Sequence, residues 1–215
     1  MHAQIVLFDG FDPLDVVAPF EVLCAGSDFA GGELIVELVS AEGARAVTGG
    51  TRGLVMHATA RLDPAKPGYI VVPGASGPVD GDPDAGVDTI PVLLARMGET
   101  DLIPILRKAF DNPEIVVATV CGGALGLAMA GLLEGRSATT HALGLDVLDA
   151  TGANVVRARV VDDGDLVTAG GVTSGLDLAL YLLERRYGPR VCLQVEALFE
   201  YERRGTVWTG TGRAA

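Results

Sequence analysis

Short apolar runs rich in β-branched residues alternate with longer, helix-forming segments along the chain. Such runs are typical of strands buried on both faces. The predicted strands cover residues 3–8, 34–40, 69–72, 114–120, 136–139, 155–161 and 166–168, with part of a short hairpin at 53–56. The predicted helices cover residues 14–24, 90–110, 124–133, 141–151, 176–187 and 188–201, with interruptions at Gly98 and Pro104 inside the second. This alternation predicts an α/β fold whose mainly parallel sheet is covered by helices on both faces.

Four segments follow directly after predicted strands. They span residues 9–15, 73–77, 121–123 and 170–173. Open parallel sheets bind ligands at the carboxyl ends of their strands, where the strand order reverses. The four segments are therefore candidates to meet at one edge of the sheet and form a site.

Cys121 lies where a predicted buried strand turns abruptly into a helix, and two glycines follow it at once. A side chain at such a corner projects from the end of the sheet, and the glycines allow a tight backbone and close approach of a substrate. The free N–H groups and positive dipole at the helix start favour a thiolate. Cys121 is therefore the candidate nucleophile. The alternative is a small buried hydrophobe, which is the usual role of a free cysteine.

A carboxyl partner is available near the first predicted helix, where Asp9, Asp12, Asp15 and Glu21 occur close together. A carboxylate at a helix start also stabilises the helix dipole or caps its N–H groups. Asp12 is well placed to be such a cap. Spacing alone does not choose the acid that would work with Cys121.

Backbone turns supply further candidates. The turn at 73–77 offers N–H groups that, with the amide of Gly122, would form an oxyanion hole. Gly170 and Gly171 mark another turn from strand to helix, and His141 is a weaker catalytic candidate. Each has a structural alternative: an ordinary turn, close packing of glycines, and capping or packing by the histidine.

Composition narrows the classes of function. The chain has 215 residues, of which 49% are hydrophobic. We expect one domain at 1–202 and a polar tail at 203–215. No apolar stretch is long enough to span a membrane, and the N-terminus lacks the pattern of a signal peptide. The formal net charge of −12 disfavours nucleic acid as a partner.

Cysteine and histidine usage indicates a reducing compartment and chemistry without a metal. Cys24, Cys121 and Cys192 form no CxxC pair and no disulfide framework, which indicates the cytoplasm. The three histidines are too scattered to indicate a zinc site. No GxGxxG or P-loop pattern is present, so a nucleotide is not indicated.

Four longer segments resemble the ThiJ/PfpI superfamily, and in particular its isonitrile hydratase branch. They are LFDGFDPLDVVAPFEVL, VVPGASG, ATVCGGALGLAMAGLLEGRSATTHALGLDVL and LVTAGGVTSGLDLALYLLE. The resemblance implies a flavodoxin-like three-layer α/β sandwich with a nucleophile elbow. It also implies a homodimer and an enzyme that needs no metal or organic cofactor.

The resemblance also assigns roles to residues. The nucleophile falls on Cys121 and its acidic partner on Asp15. The segment that is mobile in the hydratase branch falls on residues 170–174. Oxyanion or substrate binding falls on five backbone positions at the strand ends, namely Gly74, Ala75, Gly122, Gly171 and Val172.

The chain departs from the branch at several positions. Gly122 replaces the usual Thr after the cysteine, which removes a hydroxyl beside the sulfur. Ala75 replaces a glycine of the turn, Ala18 replaces the glycine before the helix proline, and Ala142 replaces a tryptophan. Residues 80–102 look like an insertion near the site. These changes keep the cysteine but weaken what the resemblance implies about substrate.

The implied function is hydration of an isocyanide to an N-substituted formamide through a thioimidate on Cys121. The partners would be a small molecule and a second copy of the chain, with no nucleic acid and no membrane. One alternative is a ligand- or redox-sensing protein of regulator type, in which Cys121 reports oxidation. Another is a different cysteine–acid activity, such as glyoxalase chemistry on a small aldehyde. The lack of a His after Cys121 disfavours the protease-like branch, and the lack of a helix-turn-helix extension disfavours a stand-alone transcription regulator.

Overall fold

A computed structural model describes residues 1–82 and 86–210. The strands are β1 His2–Val6, β2 Ile35–Ser40, β3 Arg45–Thr48, β4 Val55–Ala58, β5 Ala60–Arg61, β6 Gly68–Val72, β7 Ile115–Thr119, β8 Ser137–Ala138, β9 Asn154–Val155, β10 Val160–Asp162, β11 Leu166–Ala169 and β12 Trp208–Thr209. The helices are α1 Pro13–Phe29, α2 Ile90–Gly98, α3 Leu102–Phe110, α4 Gly123–Met129, α5 Leu145–Ala150, α6 Ser174–Tyr187 and α7 Pro189–Phe199, with a 3₁₀ turn at Ala142–Gly144.

The main sheet has the strand order β12-β10-β11-β7-β6-β1-β2-β5. Its neighbouring strands run parallel except for β10 and β11, which are antiparallel. A β3–β4 hairpin and a short β8–β9 pair lie outside this sheet. The predicted α/β fold with a mainly parallel sheet is confirmed.

The connections place helices on both faces of the sheet. The chain moves from β1 to β2 in one direction along the sheet and from β6 to β7 in the other. Right-handed crossovers in opposite directions put their helices on opposite faces. Accordingly α1 packs with α6 and α7, while α2 packs with α3 and α4. The direction reverses between the neighbours β1 and β6, so the crevice at their carboxyl ends is where a ligand is expected.

Two predicted elements need correction. Residues 90–110 do break after Gly98, but Pro104 does not interrupt the second helix, because it lies in the first turn of α3. A proline is tolerated there, since the first N–H groups of a helix have no intrahelical acceptor. The single strand predicted at 155–161 is wrong: β9 ends at Val155 and β10, in a different sheet, begins at Val160.

Smaller differences concern turns. The hairpin predicted at 53–56 is β3 and β4, joined through Arg52 and Gly53, which both have positive φ. The helix predicted at 124–133 ends at Met129, and Gly131 follows with φ of 73°. The helix predicted at 141–151 begins as a 3₁₀ turn.

The C-terminal segment lies against the body of the protein as far as Gly210. Strand β12 pairs with β10, and Arg203 forms ion pairs with Glu184 and Glu196. Residues 211–215 of the predicted tail lie outside the described residues. Within the described part of the chain, no helix combines the length and apolar character needed to cross a membrane.

Candidate active site

Cys121 occupies the sharp turn between β7 and α4, in the left-handed backbone region with φ of 54°. A residue with a side chain rarely adopts this conformation unless its surroundings impose it. The Cys121 N–H donates to the carbonyl oxygens of Ala169 at 3.1 Å and Gly170 at 2.9 Å, and the Thr140 hydroxyl donates to the Cys121 carbonyl at 2.7 Å. Neighbouring segments therefore hold the turn, which has the geometry of the predicted nucleophile elbow.

Asp15 lies in the first turn of α1 and is fully buried. Its Oδ2 accepts a hydrogen bond from the Gly74 N–H at 2.9 Å, and its buried Oδ1 makes no hydrogen bond of ordinary geometry. Burial, with a smaller contribution from the charge of Asp12, raises the pKa of Asp15 to about 8. Hydrogen bonds with the Gly74 N–H and the Cys121 side chain act in the opposite direction. At neutral pH this carboxyl is therefore mostly protonated and able to donate a proton.

The other three acids near α1 have different positions. Asp12 is the N-cap, and its Oδ1 accepts from the Leu14 N–H at 2.9 Å. Asp9 pairs with Arg45 at 3.0 Å, and Glu21 is exposed on α1. Of the four carboxyls that spacing left open, Asp15 is therefore the one that lies beside Cys121.

The sulfur of Cys121 is in a drier environment than the sequence predicts. Burial raises the pKa of the thiol to about 12, and the charge of Asp15 also raises it. The N–H groups of Gly122 and Val172 lower it by hydrogen bonding to the sulfur. Burial therefore opposes the thiolate that the helix start favours, and the two amides offset only part of the loss of water around the anion. With Asp15 protonated at neutral pH, the resting pair is a neutral acid beside a neutral thiol.

The turn at Gly74 and Ala75 approaches this pair from β6. A Cβ on Gly74 would lie 2.6 Å from the Gly122 nitrogen and 3.0 Å from Asp15 Oδ2, so only glycine fits. The Asp12 N–H donates to the Gly74 carbonyl at 2.9 Å, which fixes the turn against the start of α1. Among the described residues, the Ala75 N–H has no acceptor, which keeps it a candidate donor to a bound molecule.

The turn after β11 brings Gly171 and Val172 to the same site. A Cβ on Gly171 would lie 2.7 Å from His141 Cδ2, so glycine allows the imidazole to pack against the turn. His141 Nδ1 accepts from the Leu143 N–H at 3.2 Å and caps the 3₁₀ turn. These are the capping and packing roles named as the alternative for His141, and its catalytic role stays a prediction.

Helix α2, which lies within the predicted insertion at 80–102, packs over the turn at Cys121 and Gly122. Leu94 is buried, and its Cδ1 lies 3.3 Å from where a Cβ on Gly122 would stand. Residues 83–85 of this segment lie outside the described residues. The position of Leu94 has no sequence signal, since it depends on how α2 packs in the folded protein. Thr140 was also missed, although it lies in the Ala-Thr-Thr-His stretch of the third segment that resembles the superfamily.

Together the fold and the site define a class of protein. It is an α/β protein with a mainly parallel sheet, a cysteine on a strained strand-to-helix turn, and a buried carboxyl beside the sulfur. The carboxyl ends of β1, β6, β7 and β11 supply these parts, as the sequence predicts.

Comparisons with known proteins agree with this class. A model of the DJ-1/PfpI family matches residues 95–185. Isonitrile hydratase from Pseudomonas putida is 32% identical over 202 residues, which cover 94% of this chain and 78% of that protein. The chain therefore belongs to the DJ-1/PfpI family, and the resemblance seen in the motifs is confirmed.

Two further proteins are similar to this chain. The HTH-type transcriptional regulator CdhR from Pseudomonas aeruginosa is 26% identical over 90% of this chain, which spans 53% of that regulator. The crystal structure of a ThiJ/PfpI family protein from Pseudomonas syringae superposes with a TM-score of 0.76. It shares 22% sequence identity and covers 95% of this chain and 76% of its own.

Proposed function

We propose that the protein hydrates an isocyanide to an N-substituted formamide, with Cys121 as nucleophile and Asp15 as acid and base. The observation that carries this proposal is the fully buried Asp15 carboxyl beside the Cys121 sulfur, in surroundings that raise its pKa to about 8. Similarity to an isonitrile hydratase over most of the chain supports it. The reaction draws on no metal or organic cofactor.

The first step needs a proton on carbon. An isocyanide, R–N≡C, carries its reactive lone pair on the terminal carbon, which must be protonated as sulfur adds to it. Asp15 gives its proton to that carbon while the Cys121 sulfur forms the C–S bond. The thiol proton passes to the carboxylate, so the product is the thioimidate R–N=CH–S–Cys beside a protonated Asp15.

The second step consumes one water. Water adds to the thioimidate carbon as Asp15 takes a proton from it and gives one to the imine nitrogen, which yields R–NH–CH(OH)–S–Cys. The C–S bond then breaks, the hydroxyl proton returns to the sulfur through Asp15, and R–NH–CHO leaves. The free Ala75 N–H is available to stabilise the oxygen as charge develops on it.

The low exposure of the reacting groups fits this substrate class. Cys121 is 8% exposed and Asp15 is fully buried, so the site suits the slender, uncharged end of an isocyanide. Burial also keeps Asp15 protonated, which is the state that the first step requires.

The test is formamide production from an aryl isocyanide by purified protein, followed by chromatography. We expect turnover by the wild type and by Cys24→Ala, because Cys24 lies on α1 away from the strand-to-helix turn. Cys121→Ala should abolish turnover, since no covalent intermediate can form. The proposal fails if the wild type makes no formamide or if Cys121→Ala keeps its activity.

A sensing role is the second candidate, and similarity to the regulator CdhR favours it. In this role Cys121 would report a ligand or oxidation rather than turn over a substrate. Redox-dependent binding to a partner, without formamide production or glyoxalase activity, would support the sensor over an enzyme. The cytoplasmic location stays a prediction.

A further inference from the structure

The segment at 170–174 is hydrogen-bonded to the backbone of the Cys121 turn. The Gly170 carbonyl accepts from the Cys121 N–H at 2.9 Å, and the Val172 N–H acts on the sulfur to lower the pKa of the thiol. The segment joins β11 to α6, and Thr173 within it is exposed. Its position decides whether an N–H is present at the sulfur when charge develops there.

Arg159 holds this segment from the loop before β10. Its carbonyl accepts from the Gly170 N–H at 3.0 Å, and one guanidinium nitrogen donates to the Thr173 hydroxyl at 3.0 Å. Its Nε donates to Asp177 Oδ2 at 2.5 Å. One side chain therefore links the Cys121-facing turn to the first turn of α6.

Asp177 is the centre of the network. It is 3% exposed and accepts hydrogen bonds from three residues. Besides Arg159, these are the Tyr201 hydroxyl at 3.0 Å and the Arg204 N–H at 2.7 Å. A buried carboxylate with this many donors holds their positions closely, and removing its charge leaves donors without a partner.

We propose that Asp177 and Arg159 are positioning residues that keep the Val172 N–H against the Cys121 sulfur. The C-terminal segment at 201–204 fixes the position of Asp177 by donating hydrogen bonds to the same carboxylate. The inference deepens the proposed function, because the group that they position serves the sulfur of the same site. It does not depend on the identity of the substrate.

The test combines hydrogen exchange with kinetics on the full chain. Asp177→Asn removes the charge at the centre, and Thr173→Val removes the hydroxyl that Arg159 binds, while Thr173→Ser keeps it. Asp162→Asn is the matched control. Asp162 is a similarly buried carboxylate that binds Tyr181, Arg185 and the Gly164 N–H, none of them in residues 170–174.

We expect Asp177→Asn and Thr173→Val each to speed amide exchange within 170–174 on the order of tenfold. Both should lower kcat for an aryl isocyanide more than they change KM. Thr173→Ser and Asp162→Asn should match the wild type in this segment. If Asp177→Asn speeds exchange throughout the chain, this variant has lost general stability. The comparison of Thr173→Val with Thr173→Ser then tests the proposal.

Equal exchange and kinetics for Thr173→Val and Thr173→Ser would overturn the proposal. Exchange needs no substrate, so a wild type without isocyanide turnover would end the proposed function while leaving this test in force.

Discussion

At the scale of single residues, burial raises the pKa of two side chains, Asp15 and Cys121, and the proposed mechanism depends on both changes. The strand, Cys121 and Gly122 mark the candidate nucleophile from sequence, because the turn that they form is a local feature. The protonated state of Asp15 is not predictable in this way. It arises because the fold removes water from a carboxyl that local sequence places, like Asp12, at a helix start.

The stability of the protein should therefore depend on the proton of Asp15. The pKa of this carboxyl is raised from 3.8 to about 8 in the folded protein. Between those values the folded state holds a proton that the unfolded chain has released, so raising the pH favours unfolding. Asp15→Asn imitates the neutral carboxyl and should lose this dependence.

Thermal unfolding from about pH 5 to about pH 9 checks this, with wild type and Asp15→Asn compared at each pH. The melting temperature of the wild type should fall more steeply than that of the variant. Parallel curves would mean that Asp15 is ionised in the folded protein at neutral pH, which would remove the proton donor from the mechanism.

At the scale of elements, the packing of α2 explains why a glycine follows Cys121. Backbone strain is not the reason, since Gly122 has φ of −68° and any residue adopts that value. The reason is the contact with Leu94, whose Cδ1 lies 3.3 Å from the position of a Cβ on Gly122. A threonine there needs space that α2 occupies.

Gly122→Thr should therefore lower stability by about 1–3 kcal/mol, as expected for overpacking of a core. Gly122→Ala adds one carbon and should cost less. Leu94→Val makes room, so the double variant Gly122→Thr with Leu94→Val should be more stable than the sum of the single changes predicts. Denaturant unfolding of the four variants measures this, and strictly additive effects would show that Leu94 and residue 122 do not compete for space.

At the scale of the whole molecule, the alternation of strands and helices predicts the layers of the fold well. The strands that carry the site are predicted within a residue or two, because each is a continuous apolar run. Prediction fails where the chain is short of such runs. The break between β9 and β10 and the pairing of β12 with β10 depend on contacts far apart in sequence.

The apolar surface of α1 bears on whether the protein forms a homodimer. The apolar stretch at 16–23, which motivates a dimer, is mostly covered within the chain, since Val16, Val22 and Leu23 are buried. Leu14 and Val17 on α1 remain exposed at 47% and 39%. We still expect a homodimer, with a mass by light scattering of about twice the 22.2 kDa of the chain. If the second copy covers this face of α1, Leu14→Gln with Val17→Gln should shift the mass toward that of the monomer. A wild-type protein with the mass of a monomer would contradict the prediction.

The central claim is that Asp15 protonates the carbon to which Cys121 binds. The most direct measurement is peptide mass spectrometry of the protein during reaction with an aryl isocyanide, together with the rate of formamide production. The wild type and Asp12→Asn should carry the adduct on Cys121 and turn over, because asparagine is also a good N-cap. Asp15→Asn should be slower on the order of 100-fold, with little adduct. An Asp15→Asn variant that turns over at the wild-type rate, or an adduct on Cys24 or Cys192 instead, would contradict the account.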